Sequence, residues 1–411
     1  MSVDLSLEYS VDAVLSKLRI ASVSGESGWK RAWGIDEIGT REHRLPTLAE
    51  LDRACGDVPW VIHHRSGRAV LLNTPARIAL GRAAGREWEP VDNSKPPLAS
   101  WDDPALRFVP IRSASDMDLA VKTVSLELAA MGVARVTDAT ATNAVSDYEQ
   151  FTRWTDSGVF MQCVDLLIGV DAVDDAVDAG LFDSRPGART RMVDVAGVKI
   201  ATSADGIGDQ VEHARSRGLP VAIHATDPDE LEAALIAFER LGPPRQGRDR
   251  IEHLGLVIPG QLQRLAATGA AAVTNPGFIA ERGRKYVAEM TNVELDWIYP
   301  MRSALEMGIH LSAGSDRPVT AGGPLAMITA AIHRVAPTDD GPVVVGSAER
   351  LSPDEALSLV SAEGAVTGTS MADAVLIKGD PREGTDGARV LATVAAGKVI
   401  WQTAEYEQSS T

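Results

Sequence analysis

A chain of 411 residues is long enough to bury a large core, and 45% hydrophobic with 24% charged residues matches a globular protein rather than a disordered one. A net charge of −17 argues against a nucleic-acid or anionic-membrane surface, both of which need clustered Lys and Arg. With only Cys55 and Cys163, neither a disulfide framework nor a cysteine-based metal knuckle can be built. The N-terminal MSVDLSLEYSVDAVL is acidic where a signal peptide is basic, and no apolar run approaches the roughly 18 residues of a membrane span. The expectation is a cytoplasmic enzyme.

In chain order, SVDAVLSKLRIA and TLAELDRACG read as helices, PWVIHH and RAVLLN as strands, and TPARIALGRAAG as a further helix. Residues 1–100 are therefore expected to form an α+β lobe. The Pro/Asp/Trp-rich WEPVDNSKPPLASWDDPALRF reads as a joining loop. From about residue 117, helix-period and strand-like segments alternate. Residues 116–132 read as a helix stopped by Gly132, and strands are expected at 133–138, 159–168, 193–200, 219–224, 250–254, 271–275 and 309–313. DPDELEAALIAFERLG is a helix with Asp227 as N-cap, Pro228 at its first position and Gly242 as its stop. Beyond a barrel region spanning 101–365, ADAVLIKGDP and VLATVAAGKVIWQ predict a small strand pair within 366–411.

Seven strands in βα alternation point to an α/β fold of the (β/α)8 TIM-barrel type that needs one more strand. An open doubly wound sheet is the competing architecture, but no Gly-rich dinucleotide turn follows a strand. Barrel active sites lie at the C-terminal ends of the strands, and four polar residues fall there: Lys199, His224, His253 and Asp316. Each has a plain structural reading as well: a hydrogen-bonded histidine, a lysine paired with an acid, an aspartate capping the helix after PVTAGGP. Together, two imidazoles and a carboxylate form a ligand set for zinc or a similar ion. A desolvated neutral Lys199 near such an ion could capture carbon dioxide as a carbamate. Asp316 could both bind metal and shuttle a proton to a leaving nitrogen.

These segments resemble the amidohydrolase superfamily, specifically the amidohydrolase family 3 branch that includes N-substituted formamide deformylases. GVARVTDAT is similar to that branch's second-strand segment, GVKI to its strand-four lysine, VAIHATD and RIEHLGLV to its strand-five and strand-six histidines, and GSDRPV to its strand-eight aspartate. PTLAELDRACGDVPWVIHHRSGRAVLLNTPARIAL resembles the lobe inserted after the first strand, and MADAVLIKGDP with VLATVAAGKVIW resembles the closing β-sandwich strands. The resemblance implies a metal-dependent hydrolase of C–N bonds, with one or two divalent ions (zinc, or cobalt or manganese) held by Lys199, His224, His253 and Asp316, Lys199 being carboxylated.

Three departures stand out. The family's first strand carries His-X-His, and no such pair occurs in this chain. Gly67 and Arg68 precede Asn73 where relatives have Gly-His, and the stretch from Ala365 to Ala372 is short. The other histidines do not replace the missing pair. His63 and His64 point to opposite faces of a strand, His43 lies in a loop, His213 on a helix surface, His310 at the wrong end of the last strand and His333 in the following helix.

Three readings remain open. In the first, a small companion subunit supplies the strand bearing His-X-His and completes a two-metal site. In the second, His224, His253 and Asp316 hold a single ion. In the third, the barrel is a degenerate binding subunit. A small-molecule amide is the expected substrate, and a higher oligomer is compatible with all three.

Overall fold

The computed structural model describes every residue except 1–2, 7, 24–27, 38, 66–68, 89, 101–102, 111–112, 184–190, 246, 362–372 and 410–411. Gly67, Arg68, Trp101 and the Ala365–Ala372 stretch therefore lie outside the described residues. The chain divides into two compact units, Met1–Met117 and Asp118–Thr411.

The first unit runs β1 (Val3–Asp4), α1 (Val11–Val23), β2 (Lys30–Ile35), α2 (Leu48–Cys55), β3 (Trp60–His64), β4 (Ala69–Leu72), α3 (Thr74–Ala84) and β5 (Leu98–Ser100). Its five strands pair in chain order, β1-β2-β3 parallel and β3-β4-β5 antiparallel. Local chemistry fixes the helix starts. Thr47 and Glu50 cap α2 reciprocally, and the Asn73 side chain accepts from the Ala76 amide at the start of α3. Asn73 is fully buried and also joins the Trp60 amide to the Val58 carbonyl, so its place is structural. The expected joining loop is not featureless: Leu98–Ser100 pairs with β4, and Pro104–Phe108 forms a 3₁₀ turn capped by Asp103.

The second unit begins within α4 (Ala114–Ala130). It continues β6 (Arg135–Asp138), α5 (Val145–Asp156), β7 (Cys163–Gly169), α6 (Val173–Asp178), β8 (Val193–Ile200), α7 (Ala204–Ser216), β9 (Val221–Ala225), α8 (Pro228–Leu241), β10 (Arg250–His253), α9 (Gln261–Thr268), β11 (Ala271–Thr274), α10 (Pro276–Glu289), α11 (Asn292–Trp297), α12 (Met301–Glu306), β12 (Leu311–Ala313) and α13 (Pro324–His333). Strands β6 to β12 are the seven that the apolar runs predict, and they form one parallel sheet in unbroken chain order. This is a TIM-like half-barrel with helices packed on the strands. Every residue of β7 is buried, as expected for a parallel strand covered by helices. The main core lies between these strands and helices, including Leu166, Ile168, Val198, Ile200, Ile223, Leu235 and Ile251. Asp227 caps α8 with bonds to the Asp229 and Glu230 amides, and Gly242, at φ 68°, ends it.

The chain closes with β13 (Val335–Ala336), β14 (Val343–Val344), α14 (Pro353–Val360), β15 (Ala374–Gly379), β16 (Ala388–Ala395), β17 (Lys398–Gln402) and α15 (Ala404–Ser409). The expected C-terminal strand pair is a three-stranded antiparallel sheet, because the run VLATVAAGKVIWQ folds back on itself. Ala396 and Gly397, at φ 49° and 76°, make the two-residue turn that splits it.

Candidate active site

The register of the parallel sheet brings the polar strand ends together. Lys199, near the end of β8, lies opposite Ala222 of β9, and His224, two residues on, lies opposite Glu252 of β10. His253 follows Glu252 and leaves the strand with φ 73°. Asp316, three residues past β12, has φ 53°. Non-glycine residues adopt this left-handed backbone at a cost of about 1–2 kcal/mol, so both positions are held there by their surroundings.

The two imidazoles face each other, with His253 Nε2 3.1 Å from His224 Nδ1 and ring centroids 4.6 Å apart. On its other side the His253 ring meets Phe278, which packs edge-on against Tyr299. His253 Nδ1 lies 2.8 Å from Asn275 Oδ1. Asn275 in turn donates from its amide nitrogen to the Gly314 carbonyl at 2.7 Å.

Lys199 is 5% exposed, and among the described residues no hydrogen bond or ion pair reaches its amine. The reading of a lysine paired with an acid is therefore corrected. Burial holds the amine below its ordinary pKa, although Glu252, Asp316 and Glu230 all pull the other way. Of these acids, Glu252 accepts a hydrogen bond from Arg250 Nε. Burial works to raise the Glu252 carboxyl, but Arg250 and Lys199 outweigh it and hold the group low. The Tyr299 hydroxyl, buried and paired with Tyr286 at 2.9 Å, is pushed well up by burial.

Asp316 does not cap the following helix. The N-cap of α13 is Gly323, and the Asp316 carbonyl instead accepts from the Val319 amide in a tight turn. Its side chain is exposed at the rim and within electrostatic reach of Lys199 and Tyr299. The remaining histidines lie on other elements. His213, on α7, is 3.6 Å from Asp174, and His333 ends α13. His64, on β3 of the first unit, lies 2.7 Å from Glu37. Reasoning from sequence missed Asn275, Glu252 and the Phe278–Tyr299 pair. The only signal for Asn275 was a polar residue before Pro276, which reads as a turn.

Do these residues suit a divalent ion? Two imidazole nitrogens 3.1 Å apart are near the about 3.3 Å that two such donors span on one tetrahedral zinc. A buried amine with no hydrogen-bonded partner is the second observation in favour. Residues 7–371 match the model of the amidohydrolase family.

The chain belongs to the amidohydrolase family. N-substituted formamide deformylase of Arthrobacter pascens is 26% identical over 413 residues, covering 86% of this chain and 74% of that protein. Two solved structures share the fold at 20% identity: uncharacterized metal-dependent hydrolases from Pyrococcus horikoshii OT3 and Pyrococcus furiosus, at TM-scores of 0.63 and 0.61. Each covers 87% of this amidohydrolase-family chain, and this chain covers 75% and 76% of them respectively. Among the described residues, no helix is long and apolar enough to cross a membrane.

Proposed function

We propose that this chain is the larger part of a metal-dependent hydrolase cleaving a C–N bond, with Lys199, His224, His253 and Asp316 as its site residues. The observation that carries the reading is the facing pair of imidazole nitrogens, with a buried lysine on the neighbouring strand that has no hydrogen-bonded partner among the described residues. The donor set suits zinc, and cobalt or manganese as well. When bound, such an ion supplies an acidified water and polarises the substrate carbonyl.

The chain's own groups account for the remaining chemistry. Burial favours the neutral Lys199 amine. In that form its nitrogen can bond to the carbon of carbon dioxide and release one proton to solvent, giving a carbamate that acts as a carboxylate-like ligand. Asp316, at the exposed rim, takes a proton from the attacking water and passes it to the departing nitrogen. Amides, formamides, carbamates and cyclic amides all fit this sequence, and the likeness to a formamide deformylase favours formamides among them.

The reading includes a small companion subunit. Among the described strands, β6 and β12 are the two edges of the seven-stranded sheet, and Thr137 and Ser312 on them are exposed. One parallel strand between them would complete an eight-stranded ring, cover both edges and carry a His-X-His pair to the same rim.

The test measures metal content and hydrolysis of N-substituted formamides. The chain is studied alone and co-expressed with the product of the adjacent reading frame, beside His224→Ala and His253→Ala. Metal and activity that require both chains and both histidines are expected. A monomeric chain that binds two ions and hydrolyses amides by itself would sink the companion. Two chains that together bind no metal would sink the hydrolase.

A further inference from the structure

Asparagine before proline at a helix start usually caps the helix with its side chain. Asn275 does not: it precedes Pro276 at the start of α10 but makes no side-chain cap bond. At 3% exposure, its polar atoms are committed elsewhere.

Their orientation is fixed by chemistry. The Gly314 carbonyl can only accept, so the atom 2.7 Å from it is the Asn275 amide nitrogen. The Asn275 oxygen then faces His253 Nδ1 at 2.8 Å, and since that oxygen can only accept, Nδ1 carries the proton. Nε2 is left with its lone pair directed towards His224 Nδ1, 3.1 Å away. Asn275 also follows Thr274, which pairs with His253 on one side and Ala313 on the other. It stands between the two strands that lead to His253 and Asp316.

We propose that Asn275 is a positioning residue that fixes the His253 tautomer through its oxygen and ties that histidine to the Asp316 turn through its amide nitrogen. The proposal rests on reading His253 as a metal ligand, and it predicts a division of labour between the two ends of one side chain. Such partners of ligating histidines commonly affect metal affinity by about 10–100-fold.

Two variants separate the ends. Asn275→Asp keeps the oxygen facing His253 and loses the donor to Gly314, whereas Asn275→Leu loses both. Zinc affinity of the chain co-expressed with the product of the adjacent reading frame is measured by competition with a chelator, alongside the melting temperature of the metal-free protein. Asn275→Leu is expected to weaken zinc by about 10–100-fold and Asn275→Asp by no more than about threefold. A purely structural asparagine would instead lower the melting temperature and leave zinc affinity unchanged.

The tautomer is read independently of metal from the ¹⁵N shifts of the His253 imidazole in metal-free protein. A single Nδ1-protonated form is expected in the parent chain and a mixture in Asn275→Leu. The proposal is overturned if His253 is protonated on Nε2, if Asn275→Leu leaves the tautomer unchanged, or if Asn275→Asp is as weak for zinc as Asn275→Leu. Absence of zinc binding to the two chains together, with the tautomer shift present, refutes the metal reading and upholds the positioning role.

Discussion

Replacing Arg334 by Met should loosen the segment behind the site without unfolding the sheet. Arg334 is fully buried, and its guanidinium donates to three backbone carbonyls: Val345 at 2.7 Å, Tyr299 at 2.9 Å and Ile298 at 2.7 Å. Tyr299, at φ 47°, packs on Phe278 and so stands behind His253. Three hydrogen bonds from a charged donor are worth about 1.5–3 kcal/mol each, roughly 4.5–9 kcal/mol together. Burial opposes part of this by pulling the guanidinium from its ordinary value down to about 10, a penalty of about 3 kcal/mol. The remainder, about 2–6 kcal/mol, is the predicted cost of Arg334→Met.

Native-state hydrogen exchange should report it directly. The Tyr299 amide bonds to the Gly255 carbonyl and the Val345 amide to the Arg334 carbonyl, so both are protected in the parent chain. Protection there is expected to fall by about 1.5 to 4 decades at 1.36 kcal/mol per decade. Arg334→Lys should fall between the two, because one ammonium cannot span the three carbonyls that the planar fork reaches. Unchanged protection at Tyr299 and Val345 in Arg334→Met would refute the reasoning.

Three further outcomes are expected. Arg44 hydrogen-bonds Glu50 through both oxygens and holds its carboxyl at about 2, below the ordinary 4.5. Its stabilisation is therefore complete above pH 4.5 and lost as pH falls through 2. After discounting for the half-exposed Arg44, Glu50→Gln should weaken exchange protection of α2 by about 1–2 kcal/mol at pH 7 and by no more than about 0.4 kcal/mol at pH 2. Burial pushes the Cys55 and Cys163 thiols up to about 12 and about 11, so neither should react with a thiol reagent until the chain is unfolded. Thr393 is fully buried and donates to the Ala129 carbonyl at 2.6 Å. Thr393→Val leaves that carbonyl with the Gly132 amide alone and should lower the melting temperature by about 1–3 °C in calorimetry.

The half-barrel was legible because covered parallel strands must be apolar along their whole length, which marks runs such as Cys163–Gly169 against their surroundings. β2 was not, since Lys30, Arg31 and Gly34 interrupt any alternation; Gly34, at φ 90°, is there because a Cβ would strike Ser6. The hairpin at Ala396–Gly397 was hidden for a related reason: alanine gives no warning of a left-handed turn. In the site, residue type and strand-end position identified the two imidazoles that face each other. The plain alternative for Lys199, pairing with an acid, could not be dismissed from sequence, because nothing in RIEH shows that Arg250 donates to Glu252. Asn275 was invisible because its partners lie 22 and 39 residues away.

The unbroken strand order of the parallel sheet also bears on how the chain is made. Each strand from β7 to β12 pairs with the one emerging just before it, so sheet growth needs only neighbours along the chain. A ribosome delivering the polypeptide from its N-terminus would release each βα unit onto a template already in place. Throughout synthesis one edge remains receptive, and it moves forward with every unit added. Folding of this sheet is then a directional accretion, timed by translation rather than by a search among distant strands.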